Sequence, residues 1–268
     1  MAVNDIIEKI LQEGTKMTRD QAYEILTKYM KGEHYITHSL AVEAIMRGLA
    51  KRLAPDDVEY WGIAGLLHDL DEEQCDWQHD LSVHGPTSVE ILKKEGIDDP
   101  ILFGAICAHN PKSGVKAKTK IQYALLAADP MSGFLKAVAQ IYPDKKIASV
   151  KRKSVLKRFN EARFAKGANR DYMESIEFTG LMLEDLIDIG LEEMCAIRKM
   201  PSSEMLTAST AMMRMRFIRM TPISFGIQNT RNAAYSAGSG HADSQKASPW
   251  YSCSSHRLQR TAVKRKMA

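Results

Sequence analysis

Apolar residues recur three and four positions apart along most of the first 200 residues, as they do on the buried face of an α-helix. Thr18 and Thr37 are expected to cap the second and third helices, and Gly85-Pro86 is expected to open the fifth. The alternation typical of strands is missing, so the sequence predicts an all-α fold. The predicted helices cover 3–13, 18–31, 38–53, 56–68, 86–95, 99–109, 118–140, 149–164 and 170–199.

Histidines and aspartates stand where several of these helices begin or end. The apolar segment GIAGLL (62–67) runs directly into His68 and Asp69. Asp129 interrupts an apolar helix, where an isolated carboxylate is costly unless it is paired or bound to a metal. Imidazole and carboxylate groups bind zinc, iron, manganese and similar ions, so converging helix ends could form a metal site. The candidate residues are His34, His38, His68, Asp69, His79, His84, His109 and Asp129.

Charge divides the chain into two regions. Residues 1–200 carry 27 basic and 31 acidic side chains, whereas residues 201–268 carry 10 basic and 2 acidic ones. The second region is also rich in serine and methionine, a composition that seldom buries enough apolar surface to offset chain entropy. We therefore predict a helical metal-binding domain over 1–200 and a basic tail over 201–268 that is disordered or extraneous. The alternative is a tail that binds nucleic acid or acidic lipid.

The chain gives few signs of export or membrane insertion. No apolar run approaches the roughly 18–20 residues needed to span a bilayer, and the first residues do not resemble a signal peptide. Cys75, Cys107, Cys195 and Cys253 are far apart and form no CxxC pair. These features predict a cytoplasmic protein that does not bind membranes; they do not predict its oligomeric state.

Five stretches, taken in order, resemble the HD-domain superfamily of metal-dependent phosphohydrolases, in particular its small stand-alone HDIG-type proteins. They are ITHSLAVEAIMRGLA (36–50), GIAGLLHDLD (62–71), HGPTSVEILKKEG (84–96), AICAHNP (105–111) and ALLAADPMSGF (124–134). KSVLKRF (153–159) and RFAKGANR (163–170) are also similar to that group. The resemblance covers about residues 15–200. It implies a helical HD-domain bundle with a metal site at converging helix ends.

The same resemblance implies which residues bind metal. Carried over by position, a single-metal set comprises His38, His68, Asp69 and Asp129. His84 and His109 match the extended pattern, which implies a second metal with Asp69 between the two. Divalent manganese, iron, magnesium, nickel, cobalt or zinc would suit this set. His34 is expected to be structural or to face solvent, because Gly32 makes an early start of its helix doubtful, and His79 is expected in a loop.

Acidic and basic residues near these motifs are candidates for catalysis and substrate binding. Asp71 and Glu72 follow Asp69 in a His-Asp-x-x-Glu-Glu pattern, which resembles HD hydrolases that act on guanosine polyphosphates. All three carboxylates are therefore catalytic candidates, and a solvated acidic loop is the alternative for the last two. The phosphate-binding candidates are Lys112, Lys166 and Arg170, and the resemblance implies that Arg170 is a bidentate ligand.

The leading functional hypothesis is metal-dependent hydrolysis of a phosphate ester of a nucleotide or another small phosphorylated metabolite. A mixed-valent di-iron oxygenase of the same fold is one alternative, because the same ligands suit iron. A non-catalytic, metal-containing ligand sensor is another. Nucleic-acid binding is expected only through the basic tail.

Overall fold

The computed structural model describes residues 17–197, which form nine α-helices and no strand. The all-α prediction is confirmed. The predicted helix over 3–13 and the tail over 201–268 lie outside the described residues. The helices are α1 (Arg19–Tyr29), α2 (Glu33–Leu53), α3 (Val58–Leu67), α4 (Pro86–Lys94), α5 (Pro100–His109), α6 (Lys120–Gln140), α7 (Arg152–Phe159), α8 (Arg170–Glu174) and α9 (Leu183–Ile197).

Helices α2 and α6 are the longest and pack against each other. α3 packs along α2, α5 packs along α6, and α9 contacts both long helices. Their buried apolar side chains form one hydrophobic core. No helix within residues 17–197 has the length and apolar character needed to cross a bilayer.

A close approach of α3 to α2 depends on Gly65. A Cβ atom at this position would lie 2.9 Å from the carbonyl oxygen of Val42 and 3.0 Å from the Cα atom of Glu43. A larger residue would therefore push the two helices apart. Because α3 ends directly before His68 and α2 carries His38, this packing brings the two imidazole rings to a centroid distance of 5.2 Å.

The start of α2 differs from the prediction. The helix begins at Glu33 and not at residue 38, so the prediction that Thr37 caps it was wrong. Thr37 lies inside the helix and donates its hydroxyl hydrogen to the carbonyl oxygen of Glu33 at 2.7 Å. The start is stabilised by Glu73, whose carboxylate accepts hydrogen bonds from the backbone N–H groups of Lys31 (2.5 Å) and Gly32 (3.2 Å). A carboxylate at this end also complements the helix dipole.

The last two predicted helices are shorter or broken. The segment 149–164 contains only the eight residues of α7. The segment 170–199 is divided into α8, a 3₁₀ turn over Ser175–Thr179, and α9. Gly180 interrupts it with a φ of +93°, a left-handed conformation that favours glycine. By contrast, Thr18 caps α1 as predicted, with a capping box completed by Gln21.

Candidate metal centre

Six of the predicted ligands come together at the ends and faces of five helices. α3 ends directly before His68 and Asp69, α5 ends at His109, and His84 lies two residues before α4. α2 carries His38 and α6 carries Asp129. Their nitrogen and oxygen atoms form two groups that share one aspartate, and within each group the atoms lie within 4.8 Å of one another. The groups are His38, His68, Asp69 and Asp129, and Asp69, His84 and His109.

Asp69 lies between two pairs of histidines. Its Oδ2 atom is 3.2 Å from Nε2 of His38 and 3.1 Å from Nε2 of His68. Its Oδ1 atom is 3.3 Å from Nε2 of His109 and 3.4 Å from Nε2 of His84. Each oxygen of one carboxylate therefore faces a different pair of imidazole nitrogens.

Backbone carbonyl groups fix the tautomers of two histidines. Nδ1 of His68 lies 2.8 Å from the carbonyl oxygen of Gly65, and Nδ1 of His109 is hydrogen-bonded to the carbonyl oxygen of Ile106. A carbonyl oxygen can only accept, so Nδ1 carries the hydrogen in both rings. In the neutral imidazole, Nε2 then presents a lone pair to the centre of the site.

Side chains fix the other two histidines in the same way. Nδ1 of His84 donates to Oδ1 of Asp71 at 2.9 Å. Nδ1 of His38 lies 3.1 Å from Oγ of Ser132, whose own hydrogen is donated to the carbonyl oxygen of Asp129. The hydroxyl can therefore only accept from His38. All four neutral imidazoles thus direct an Nε2 lone pair inward, which is the arrangement that metal ligation requires.

The arrangement fits metal ions better than hydrogen bonding within the protein. Nε2 of His84 and Nε2 of His109 are 3.0 Å apart, so two neutral rings would repel through their lone pairs. Nε2 of His68 and Oδ1 of Asp69 are buried without a hydrogen-bond partner among the described residues. Such an atom costs about 1–3 kcal/mol when it stays unsatisfied. Two atoms that each lie ~2.1 Å from a shared ion are ~3 Å apart, close to the separations observed here.

The electrostatics of the site also favour added positive charge. Burial alone would lower the pKa of His38, but its hydrogen bonds with Asp129 and Asp69 raise it to about 9. Burial likewise opposes protonation of His84, but Asp69 and Asp71 raise the pKa to about 11. Burial would raise the pKa of Asp69, yet the neighbouring histidines hold it well below its ordinary value. The carboxylates therefore attract either protons or metal ions, and the two compete.

The three acids that follow Leu70 have different environments. Asp71 is fully buried and accepts hydrogen bonds from the backbone N–H groups of Gly85 (2.6 Å) and Ser88 (3.3 Å), as well as from His84. Its oxygens are therefore occupied by donors, and the contact with Nδ1 suits orientation of His84, whereas proton transfer by Asp71 stays a prediction. Glu73 stabilises the start of α2. Glu72 alone of the three has a buried oxygen, Oε2, without a partner among the described residues.

The carboxyl group of Glu72 is suited to carry a proton near neutral pH. Burial raises its pKa, and the negative charge of Asp69 raises it further, to about 8. A neutral carboxyl group beside a metal site can donate a proton to a departing oxygen.

Arg170, for which phosphate binding stays a prediction, makes its described contacts within the protein. Its guanidinium group lies over the ring of Phe134, 4.6 Å from the centroid, and its N–H groups point into the backbone of the preceding loop. They donate to the carbonyl oxygens of Phe159 (3.5 Å), Phe164 (2.5 Å), Ala165 (2.7 Å) and Ala168 (2.6 Å). Arg170 therefore holds this loop in shape. Lys166, in the same loop, and Lys112 are exposed, and their binding of phosphate stays a prediction.

His34 and His79 lie outside both groups of ligand atoms. His34 is exposed, and its ring contacts that of Tyr35 at a centroid distance of 3.8 Å with the ring planes tilted by 38°. His79 is exposed and pairs with Asp76 at 2.7 Å. Although α2 begins early, His34 is not added to the metal centre.

Several supporting residues carried no recognisable signal in the sequence. Ser132, on α6, fixes the tautomer of His38. The backbone N–H group of Ser88, on α4, donates to Asp71. Asn110 donates from Nδ2 to the carbonyl oxygen of His84 at 3.0 Å. Nothing in the local sequence distinguishes these serine and asparagine residues from others in the chain, so only the fold reveals these roles.

The site opens toward one side. The side chains of His38 and Asp129 are 26% and 31% exposed, whereas those of His68 and His109 are 0% and 2% exposed. A small substrate would therefore approach beside His38 and Asp129.

Comparison with protein families agrees with this geometry. The family model described as HD domain matches residues 35–150, a stretch that contains all six converging ligands. This segment is therefore similar to the HD domain, and HD domains are generally metal-dependent hydrolases that bind divalent metals. No curated protein and no solved structure shows significant similarity to the chain.

Proposed function

We propose that this protein is a metal-dependent phosphohydrolase that hydrolyses the phosphate ester of a nucleotide or another small phosphorylated metabolite. The position of Asp69 carries the proposal, because each of its oxygens faces a separate pair of histidine nitrogens at 3.1–3.4 Å. An arrangement of this kind suits two neighbouring ions that share one carboxylate.

In this proposal the two ions have different numbers of protein ligands. The first would be held by His38, His68, Asp69 and Asp129, and the second by Asp69, His84 and His109. When bound, the ions would polarise a phosphoryl oxygen and lower the pKa of water. The second ion would have fewer protein ligands, which would leave more positions for substrate.

The remaining chemistry falls to side chains of the chain itself. Glu72, with a pKa raised by burial to about 8, would give its proton to the leaving oxygen of the ester. Asp71 would keep Nε2 of His84 directed at the centre through the hydrogen bond to Nδ1. Lys112 follows His109 by three residues, on a turn over Pro111–Ser113, and would attract the phosphate of an incoming substrate.

The test combines metal content with turnover. The full chain is purified without chelator and assayed for phosphate release from nucleoside monophosphates, sugar phosphates and an aryl phosphate, with each candidate metal added. We expect hydrolysis of at least one ester, loss of hydrolysis in Asp69→Ala, and full activity in the exposed control His79→Ala. Metal binding without release from any ester would favour the sensor, and oxygen consumption by an iron-loaded, reduced sample would favour the oxygenase.

A further inference from the structure

Positive charge is concentrated in one short stretch of the described chain. Residues 145–166 carry nine basic and one acidic side chain, whereas the other described residues carry 14 basic and 27 acidic ones. A stretch with a net charge of +8 thus lies on a body with a net charge of −13. The proposed hydrolase chemistry uses at most one of these cations, Lys166.

Most of these cations have no acidic partner. Among the described residues, only Arg152 (with Asp188, 2.6 Å) and Arg158 (with Glu161, 2.5 Å) of this stretch form ion pairs. The other seven are exposed, and we refer to them as the α7 surface. They are Lys145, Lys146, Lys151, Lys153, Lys157, Arg163 and Lys166.

Helix α7 fixes the direction of the central cations. Val155 and Phe159 are buried and face the core. Lys153 and Lys157 lie two positions from Val155 on either side, so they project from the opposite, outer face of the helix. They are one turn apart, about 6 Å along the axis. The helix therefore presents these two ammonium groups, one turn apart, to solvent.

These charges lie where they weaken the helix. Lys151, Arg152 and Lys153 lie at its N-terminal end, where the helix dipole disfavours cations. Lys153 and Lys157 form a like-charge pair at i and i+4, which also disfavours the helix. Violations of local rules of this kind are expected where a surface serves binding.

We propose that the α7 surface binds the phosphodiester backbone of double-helical nucleic acid without reading its sequence. Lysine acts on phosphate as a point charge, and phosphate contacts carry no base information. Apart from the lysine-containing loop over 112–120, the remaining described residues are acidic on balance and repel a polyanion, so within residues 17–197 contact would centre on this surface. The binding does not depend on the proposed metal centre.

The apolar residues of the stretch favour this partner over two others. A membrane surface is the first alternative. Ile147, Val150 and Val155 are buried, so none of these three side chains is available for insertion into a bilayer. Phe159 is buried and Phe164 is half-buried against the core, so neither offers an open face on which unpaired bases could stack. Of the three kinds of contact, only contact with backbone phosphates is compatible with these exposed lysine and arginine side chains.

The test measures binding of the full chain to a labelled, mixed-sequence duplex DNA at several salt concentrations. If about four cations contact phosphates, affinity should fall about 10²-fold between 50 and 200 mM salt. Lys153→Glu with Lys157→Glu should weaken binding at least about tenfold and reduce the slope of log K against log salt by about 1.8.

The control is Lys93→Glu with Lys94→Glu, which makes the same charge change at the end of α4, outside the α7 surface. Both variants keep the ten basic residues of the tail, so their difference isolates the α7 surface. Circular dichroism verifies that both remain folded. The proposal is overturned if the two variants lose affinity equally, if the wild-type chain does not bind the duplex, or if it binds anionic lipid vesicles through Lys153 and Lys157 in place of DNA.

Discussion

The candidate metal centre and the loop that contacts Arg170 both contain polar side chains that the sequence analysis predicted to be functional. The two regions differ in whether those side chains find hydrogen-bond partners within the protein. In the loop, the guanidinium group of Arg170 donates to four backbone carbonyl groups, so it is occupied by the fold itself. At the metal centre, Nε2 of His68 and Oδ1 of Asp69 are buried without a partner among the described residues. Because such atoms are costly, the difference distinguishes groups whose hydrogen bonds are made within the fold from groups that a bound ion could satisfy.

The same difference separates three consecutive acids. Asp71 accepts three hydrogen bonds and Glu73 accepts two, whereas Oε2 of Glu72 accepts none from the described residues. A shared position after Asp69 therefore does not give a shared role. The following substitutions test this distinction, beginning with the largest expected effect.

Substitution of Asp69 should have the largest effect. Asp69→Asn keeps the size of the side chain but removes the charge that both histidine pairs face. We expect most bound metal to be lost and the rate of ester hydrolysis to fall at least about 10³-fold. Elemental analysis and phosphate release measure the two effects, with His79→Ala as the control. Unchanged metal content would show that Asp69 is not shared by two ions.

Glu72→Gln should reduce turnover without removing metal. A general acid typically contributes about 10²–10⁴-fold to the rate, and kcat should fall by that order. The acid form of Glu72 exists below its pKa of about 8, so the wild-type rate should decline as the pH rises through this value. Bound cations shift that decline to lower pH, because they stabilise the carboxylate. The Glu72→Gln variant should not show this decline in rate at higher pH. If the decline persists in the variant, another group donates the proton.

Asp71→Asn should weaken one of the two metal sites. The hydrogen bond to Nδ1 of His84 would lose its charge, and changes of this kind cost about 10–100-fold in metal affinity. The pair formed by His38 and His68 should be unaffected. Metal titration followed by calorimetry should therefore show one weakened and one unchanged step. Equal weakening of both steps would indicate general damage to the fold.

Arg170→Lys should have the smallest effect on catalysis. Lysine cannot reach the four carbonyl oxygens at once, so the free energy of unfolding should fall by about 2 kcal/mol. The KM of the folded fraction should stay close to that of the wild type. Thermal unfolding and steady-state kinetics measure these quantities, and Lys166→Ala is the matched control in the same loop. A rise in KM with unchanged stability would show that Arg170 binds the substrate.

Local sequence signals predicted much of the fold and eight candidate metal ligands, and the resemblance to the HD-domain superfamily reduced these to the six residues that converge. The periodic apolar positions predicted helices α1 to α6, because each of these helices buries apolar side chains in a common core. Contacts between distant residues decided what local signals could not. Glu73 stabilises the start of α2 by a hydrogen bond to Gly32, which lies 41 residues before it in the sequence, and Gly65 permits the close spacing of α2 and α3.

The roles of Asp71 and Arg170 could not be predicted for the same reason. A carboxylate or a guanidinium group in a motif can bind substrate or bind the protein itself. Only its distances to His84 or to the loop carbonyl groups distinguish these possibilities.

The most direct measurement is the number of metal ions per full chain, by elemental analysis without chelator, in the wild type and in His84→Ala. His84 belongs only to the second group of ligand atoms. We expect about two ions in the wild type and about one in the variant. One ion or none in both proteins would contradict the shared position of Asp69 between two metals.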